Sequence, residues 1–294
     1  MAPPLRERPA GRLIPVGGMP EGLAVDPATG IVAVGLRNPD ELALVRGTRV
    51  RRVHLPESPR HLALERPGGP VLVPAERADA LARVALPGGR VESVTPAGRF
   101  PHDAAASGGR VLVTDEMGNA VSIFAGARRV ATVHAPLQPG GAVPLPGGLA
   151  AVVAVRARVL AVYRLAPPGL VTEANAGVGP THAAAALGRV YVADTQGDAV
   201  LEFRTSPRLE ITGRADVPGS PYGIAADERR RRLWVTLTAR NELVEYALGG
   251  PAPRRIATYP TVRQPNSVAV DPRDGRVYVA GRASGTLEWI DTTR

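Results

Sequence analysis

A proline followed by a short strand of small apolar residues recurs seven times in this chain at intervals of about forty residues, a period that marks stacked or ring-arranged sheets. The units open as PEGLAVD at Pro20, PRHLALE at Pro59, PHDAAAS at Pro101, PGGAVPL at Pro139, PTHAAAA at Pro180, PYGIAAD at Pro221 and PNSVAVD at Pro265. Each is followed by a turn, as in DPATG and DPRDG, and then by a second run: IVAVG, VLVPA, VLVTD, AAVVA, VYVAD, LWVTL and VYVAG. Short, mostly β-branched runs bounded by turn residues read as buried strands.

A polar loop leads next to a third strand, as in NAVSIF, DAVLEF, NELVEY and GTLEWI. Phe124, Tyr163, Phe203, Tyr246 and Trp289 fall near one register at its end, which assigns them to packing between neighbouring sheets. A fourth strand closes six units, for example RRVHL from Arg51 and RRIAT from Arg254, but the seventh stops at DTTR. A spare segment, GRLIPV from Gly11, precedes the first proline. Pairing it with the third strand of the last unit would close a ring and remove an exposed edge. The expected fold is therefore all-β: a seven-bladed β-propeller of four-stranded blades over residues 1–294, one domain, with Arg12 to Val16 completing blade seven beside Leu287 to Asp291. Residues 1 to about 10 are expected to be loose. Helical patterning is essentially absent, and a solenoid would not need this exchange of terminal strands.

The 294 residues include no cysteine, which excludes disulfides, thiolate ligands and a cysteine nucleophile. All 36 basic residues are arginine, so lysine Schiff-base chemistry is excluded too. The net charge of +9 raises nucleic acid as a partner, but the arginines are dispersed and aromatics are only 4%. A nucleic-acid footprint needs clustering on one face, so no nucleic-acid partner is expected. No apolar stretch approaches a membrane span, and MAPPLRERPAGRLIPVGG lacks the apolar core of a secretory signal. A signal already trimmed away would look the same, so the compartment stays open. The chain is expected to be monomeric.

The units resemble YVTN-type and NHL-type propeller repeats in QPNSVAVDPRDGRVYVAGRASGTLEWID and GPTHAAAALGRVYVADTQGDAVLEF, a likeness that covers nearly the whole chain. SPRHLALERPGGPVLVPAERADALARV and FPHDAAASGGRVLVTDEMGNAVSIF are similar to the P-R-H and P-H blades of seven-bladed lactonase-like propellers, which implies hydrolysis of sugar lactones. The blade PHDAAA…VTDE also resembles the histidine blades of amidoglycolate and virginiamycin B lyases, which implies a divalent metal. Only His102 directly follows a repeat proline.

In a propeller the residues after each proline and the ends of the second strands share one rim, where ligands of closed β-folds bind. The first set is Glu21, Arg60, His102, Gly140, Thr181, Tyr222 and Asn266; Asp103, His61 and His182 stand one place further on. Glu76 and Glu116 end second strands. Arg60, His61, Glu76, His102, Asp103 and Glu116 combine nitrogen ligands, carboxylates and a fixed cation, types that suit a divalent metal or a histidine base oriented by a carboxylate. Strand alternation places His61 and His182 between blades. Asp115 and Asp194 fit the capping of tight turns, and Gly140 and Gly141 leave room for a ligand. His54 and His134 belong to outer strands. No G-x-S-x-G, Walker or H-E-x-x-H motif occurs.

Two functions follow. The first is a binding or scaffold propeller that holds a small molecule or a protein loop at the channel mouth. The second is a lyase or lactone hydrolase in which His102, Glu116 and Arg60 are catalytic, with Glu21, His61, Glu76, Asp103, Thr181, Tyr222 and Asn266 around the ligand and a divalent metal as the candidate cofactor.

Overall fold

The structure, a computed structural model, describes residues 2–292. It forms seven four-stranded antiparallel sheets, the blades of one ring. The first strands of blades one to seven are Met19–Val25, Ala63–Leu64, Pro101–Ser107, Pro139–Leu145, Pro180–Ala186, Pro221–Asp227 and Pro265–Val270. In blade two a bridge between Pro59 and Ala75 extends the short first strand to its proline.

Six blades are built from four consecutive strands. Blade seven supplies three, and Arg12–Pro15 adds the fourth by pairing antiparallel with Thr286–Ile290, Arg12 opposite Trp289 and Ile14 opposite Leu287. Glu288 locks this seam. Its carboxylate accepts the Gly11 N–H at 2.7 Å, the Val262 N–H at 3.1 Å and the Thr261 hydroxyl.

The core is divided into seven apolar clusters, each shared by two adjacent blades. Phe124, Tyr163, Phe203 and Tyr246 are fully buried in four different clusters, and Trp289 packs against the one between blades seven and one. The aromatic register thus fills the wedge between sheets, as its position predicts. Residues 2–10 run beside blades six and seven, where Asn241 donates to the Pro3 carbonyl and Arg263 to that of Ala2.

One irregularity positions the site. The first strands of blades one and three to seven break register just after the proline, between Pro101 and Ala104 for example, and in blade two regular pairing resumes only at Ala63. A bulge inserts residues that pair with nothing and re-aims their side chains. The residue after each proline, and outside blades five and seven the next one as well, is thereby left out of the regular pairing.

Candidate functional site: a three-histidine cluster at the channel mouth

Within a blade, the residue after the proline faces the residue that ends the second strand. In blade three His102 Nδ1 lies 2.8 Å from Glu116 Oε2. In blade one Glu21 Oε1 lies 3.4 Å from Arg37 Nε, and in blade two Arg60 Nη1 is 3.9 Å from Glu76 Oε1. In blade five the hydroxyls of Thr181 and Thr195 are 2.8 Å apart. Blade four offers Gly140, where a Cβ would meet Val155 Cγ2 at 3.1 Å.

These pairs are joined across blades. Arg37 donates to Glu76 at 2.5 Å, Asn266 donates to Glu21 at 3.0 Å, and Arg282 also donates to Glu21. Gln138 donates to the second oxygen of Glu116 at 2.6 Å. Burial works to raise the Glu116 carboxyl, but the hydrogen bonds from His102 and Gln138 and the Arg60 charge outweigh it and hold it down to about 2.

Beneath this layer, His61 and His182 do not sit between blades as strand alternation predicts. They reach across the channel from blades two and five, with their Nε2 atoms 2.9 Å apart. The break in register after each proline is the reason, because it leaves His61 unpaired and puts His182, which pairs with Ala193, out of phase with its proline. His102 joins them. Its ring stacks on His61 at a centroid distance of 5.0 Å and 15° between planes, and one nitrogen from each of the three rings lies within 4.8 Å of the other two. Gly141 stands between, where a Cβ would come within 3.2 Å of the His182 Cα. The glycines of blade four therefore leave space that the imidazoles use.

Burial holds the His61 ring well below its ordinary pKa, and the neighbouring His182, His102, Arg60 and Arg37 add to the effect. Burial likewise lowers His182 to about 3, aided by His102 and Arg60 and opposed by the Tyr222 backbone. Both rings are neutral near pH 7, the form that ligates metals. Nδ1 of His102 is held by Glu116, so Nε2 is the nitrogen it has left to offer. A carboxylate behind a ligating histidine fixes ring orientation and tautomer. Nitrogens bonded to one ion at about 2.0–2.1 Å lie about 3 Å apart, so the His61–His182 spacing fits.

Tyr222 lies edge-on to His182 with ring centroids 4.5 Å apart. Asp103 lines, together with His61, His182 and Asn266, a cavity of about 230 Å³, and its oxygens accept the Ala104 and Ala142 N–H groups at 2.8 and 2.9 Å. Burial pushes its carboxyl up to about 7. Asp115 and Asp194 cap turns, accepting from Gly98 and from Val178, Gly179 and Gly197 respectively. Arg37, Arg282 and Gln138 were not singled out by the sequence reading. Arg37 and Arg282 end the second strands of blades one and seven at the repeat position of Glu76 and Glu116, and extending that alignment to all seven blades finds them.

No protein-family model matches the chain, and no curated protein does. Among solved structures the ring is similar to a streptogramin B lyase, with a TM-score of 0.81 at 14% identity over 96% of each chain. It is similar to virginiamycin B lyase from Staphylococcus aureus, with a TM-score of 0.80 at 14% identity over 95% of this chain and 98% of that one. The WD40 repeats of RRP9 match with a TM-score of 0.82 at 12% identity over 97% of this chain and 99% of theirs. These likenesses show the fold alone. They include both a lyase and a WD40 repeat protein, and the YVTN and NHL repeat types rest on the sequence likeness.

Proposed function

We propose that this propeller is a metal-dependent enzyme of the lyase or hydrolase kind, holding one divalent transition metal through His61, His102 and His182 and acting on a small molecule at the channel mouth. One observation carries the reading: one ring nitrogen from each of three histidines, carried on three blades, lies within 4.8 Å of the other two. In the metal-free protein the Nε2 atoms of His61 and His182, 2.9 Å apart, share one N–H···N hydrogen bond, and burial keeps both rings in the uncharged form that can ligate an ion. Three histidine ligands with an open position form a catalytic donor set, whereas closed sites with four protein ligands are structural. When bound, such an ion supplies Lewis-acid polarisation of a carbonyl or activation of a water. The chain's own contribution is orientation: Glu116 accepts from His102 Nδ1, and Gln138 holds Glu116 in turn.

The test is metal binding by protein first stripped with a chelator. Calorimetry with zinc and visible absorption with cobalt should each give one site per chain. His61→Ala, His102→Ala and His182→Ala should abolish it, and Glu116→Ala should weaken it about 10–100-fold. Absence of stoichiometric binding at micromolar metal, or binding unchanged in the triple histidine variant, would overturn the reading.

A binding or scaffold role is the second reading, and it has its own support. Glu21, Glu76 and Glu116 are already engaged by arginine, asparagine, histidine or glutamine, which leaves few free groups for proton transfer. Metal-loaded protein that binds but turns over no member of a lactone and ester panel would favour it.

A further inference from the structure

The mouth presents its charges in layers. The side chains of Glu21, Glu76 and Glu116 are all more than nine-tenths buried, whereas Arg60 and Arg282 keep 25% and 28% of theirs exposed. A ligand arriving from solvent meets guanidinium groups first. Arg37 donates to Glu76 and Arg282 to Glu21, although Arg37 Nε is itself buried without a hydrogen-bond partner. Arg60 makes no such bond to a carboxylate. Among the described residues its guanidinium donates no hydrogen bond within normal distance, its Nε is buried without a partner, and the nearest carboxylate oxygen stands off at 3.9 Å.

A buried donor left unmade costs free energy unless a ligand completes it. The acceptor that matches a planar guanidinium fork is a group with two coplanar oxygens. Arg60 also stands beside the histidines, close enough for its charge to act on His61, His182, Glu116 and Tyr222. The three arginines and three glutamates of the mouth balance, so a divalent ion on neutral histidines would leave an excess positive charge that an anion offsets.

We infer that Arg60 binds the carboxylate of a small organic acid, and that such acids are the ligand class of this mouth. The inference rests on the reading that the mouth is the ligand site, but it does not need the metal to be present for its test. Metal-free and zinc-loaded protein are each titrated calorimetrically with glycolate, with glycolamide as its neutral counterpart, and with inorganic phosphate. Glycolate should bind at least about tenfold more tightly than glycolamide in both forms. Arg60→Met should erase that preference and Arg60→Lys should keep part of it, both with the melting midpoint of the wild type. Should Arg60→Met fail to fold, Arg60→Lys alone carries the comparison, because a lysine keeps the charge and loses the fork.

Equal binding of glycolate and glycolamide, a preference untouched at Arg60, or tighter binding of phosphate than of glycolate overturns the inference. Zinc binding without glycolate selectivity would sink this inference and leave the metal site standing. Glycolate selectivity through Arg60 in a protein that binds no zinc would do the reverse.

Discussion

Asp115 is fully buried in blade three, where it accepts the Gly98 N–H at 2.9 Å and the Ser122 hydroxyl at 2.7 Å. Burial nevertheless pushes its carboxyl up to about 6. The fold therefore favours the neutral acid. Its contribution to stability is complete below the ordinary value of 3.8 and is lost as pH rises through about 6. Asparagine can keep both hydrogen bonds without the charge, so Asp115→Asn should match the wild type near pH 4 and exceed it at pH 7 by up to about 2–3 kcal/mol. Thermal melts across that range would show it, and a gap independent of pH would refute it. At this scale the sequence was informative about type and less so about aim. The turn-capping role of Asp194 was legible because it accepts the Gly197 N–H three residues on, which is local chemistry, whereas Asp115 accepts the N–H of Gly98, 17 residues away. The meeting of His61 and His182 was not legible, because a period-two pleat sends the second residue after the proline between blades. Only a bulge, which leaves no mark in residue type here, turns it into the channel.

The closing strand shows what one short element can carry. Ile14 is almost completely buried between blades seven and one, and Glu288 satisfies the N–H groups of Gly11 and Val262 at the same seam. Ile14→Ala removes buried apolar volume and should cost about 2–4 kcal/mol. Glu288→Ala leaves two buried N–H groups without an acceptor and should cost a comparable amount, about 1–3 kcal/mol for each. Denaturant titration would measure both, and hydrogen exchange should show the loss first in Arg12–Pro15 and Thr286–Ile290. Protection unchanged in these strands would mean that the seam is not the weak point. The seam was readable in the sequence, since an orphan strand at one end and a missing one at the other leave a single economical pairing. The path of residues 2–10 beside blades six and seven was not, because it depends on the Asn241 and Arg263 side chains, which the repeat pattern does not predict.

Two arginines of the densest basic run of the ring are committed within the fold. Within the run Arg229 to Arg232, Arg230 pairs with Asp227 and donates to the carbonyls of Pro272 and Arg273, and Arg232 pairs with Glu245. Nearby, Arg273 pairs with Asp271. Arginines committed to internal carboxylates and carbonyls make a poor phosphate track. Any binding to duplex DNA should be weak at low salt and vanish at moderate salt, and sequence-selective binding that survives physiological salt in a fluorescence anisotropy titration would contradict this. No helix of the described residues is long and apolar enough to cross a membrane. The seam between Gly11 and Glu288 has a further consequence, because its two sides are 277 residues apart in the chain. At ribosomal rates of about 5–20 residues per second that separation takes roughly 15–55 s to synthesise. Throughout that interval the strand Arg12–Pro15 waits without its partner, and the nascent blades have no ring to join. Among the strands of this ring it waits longest for its pairing partner to be made, and so is the one longest exposed to chaperones, proteases and other chains.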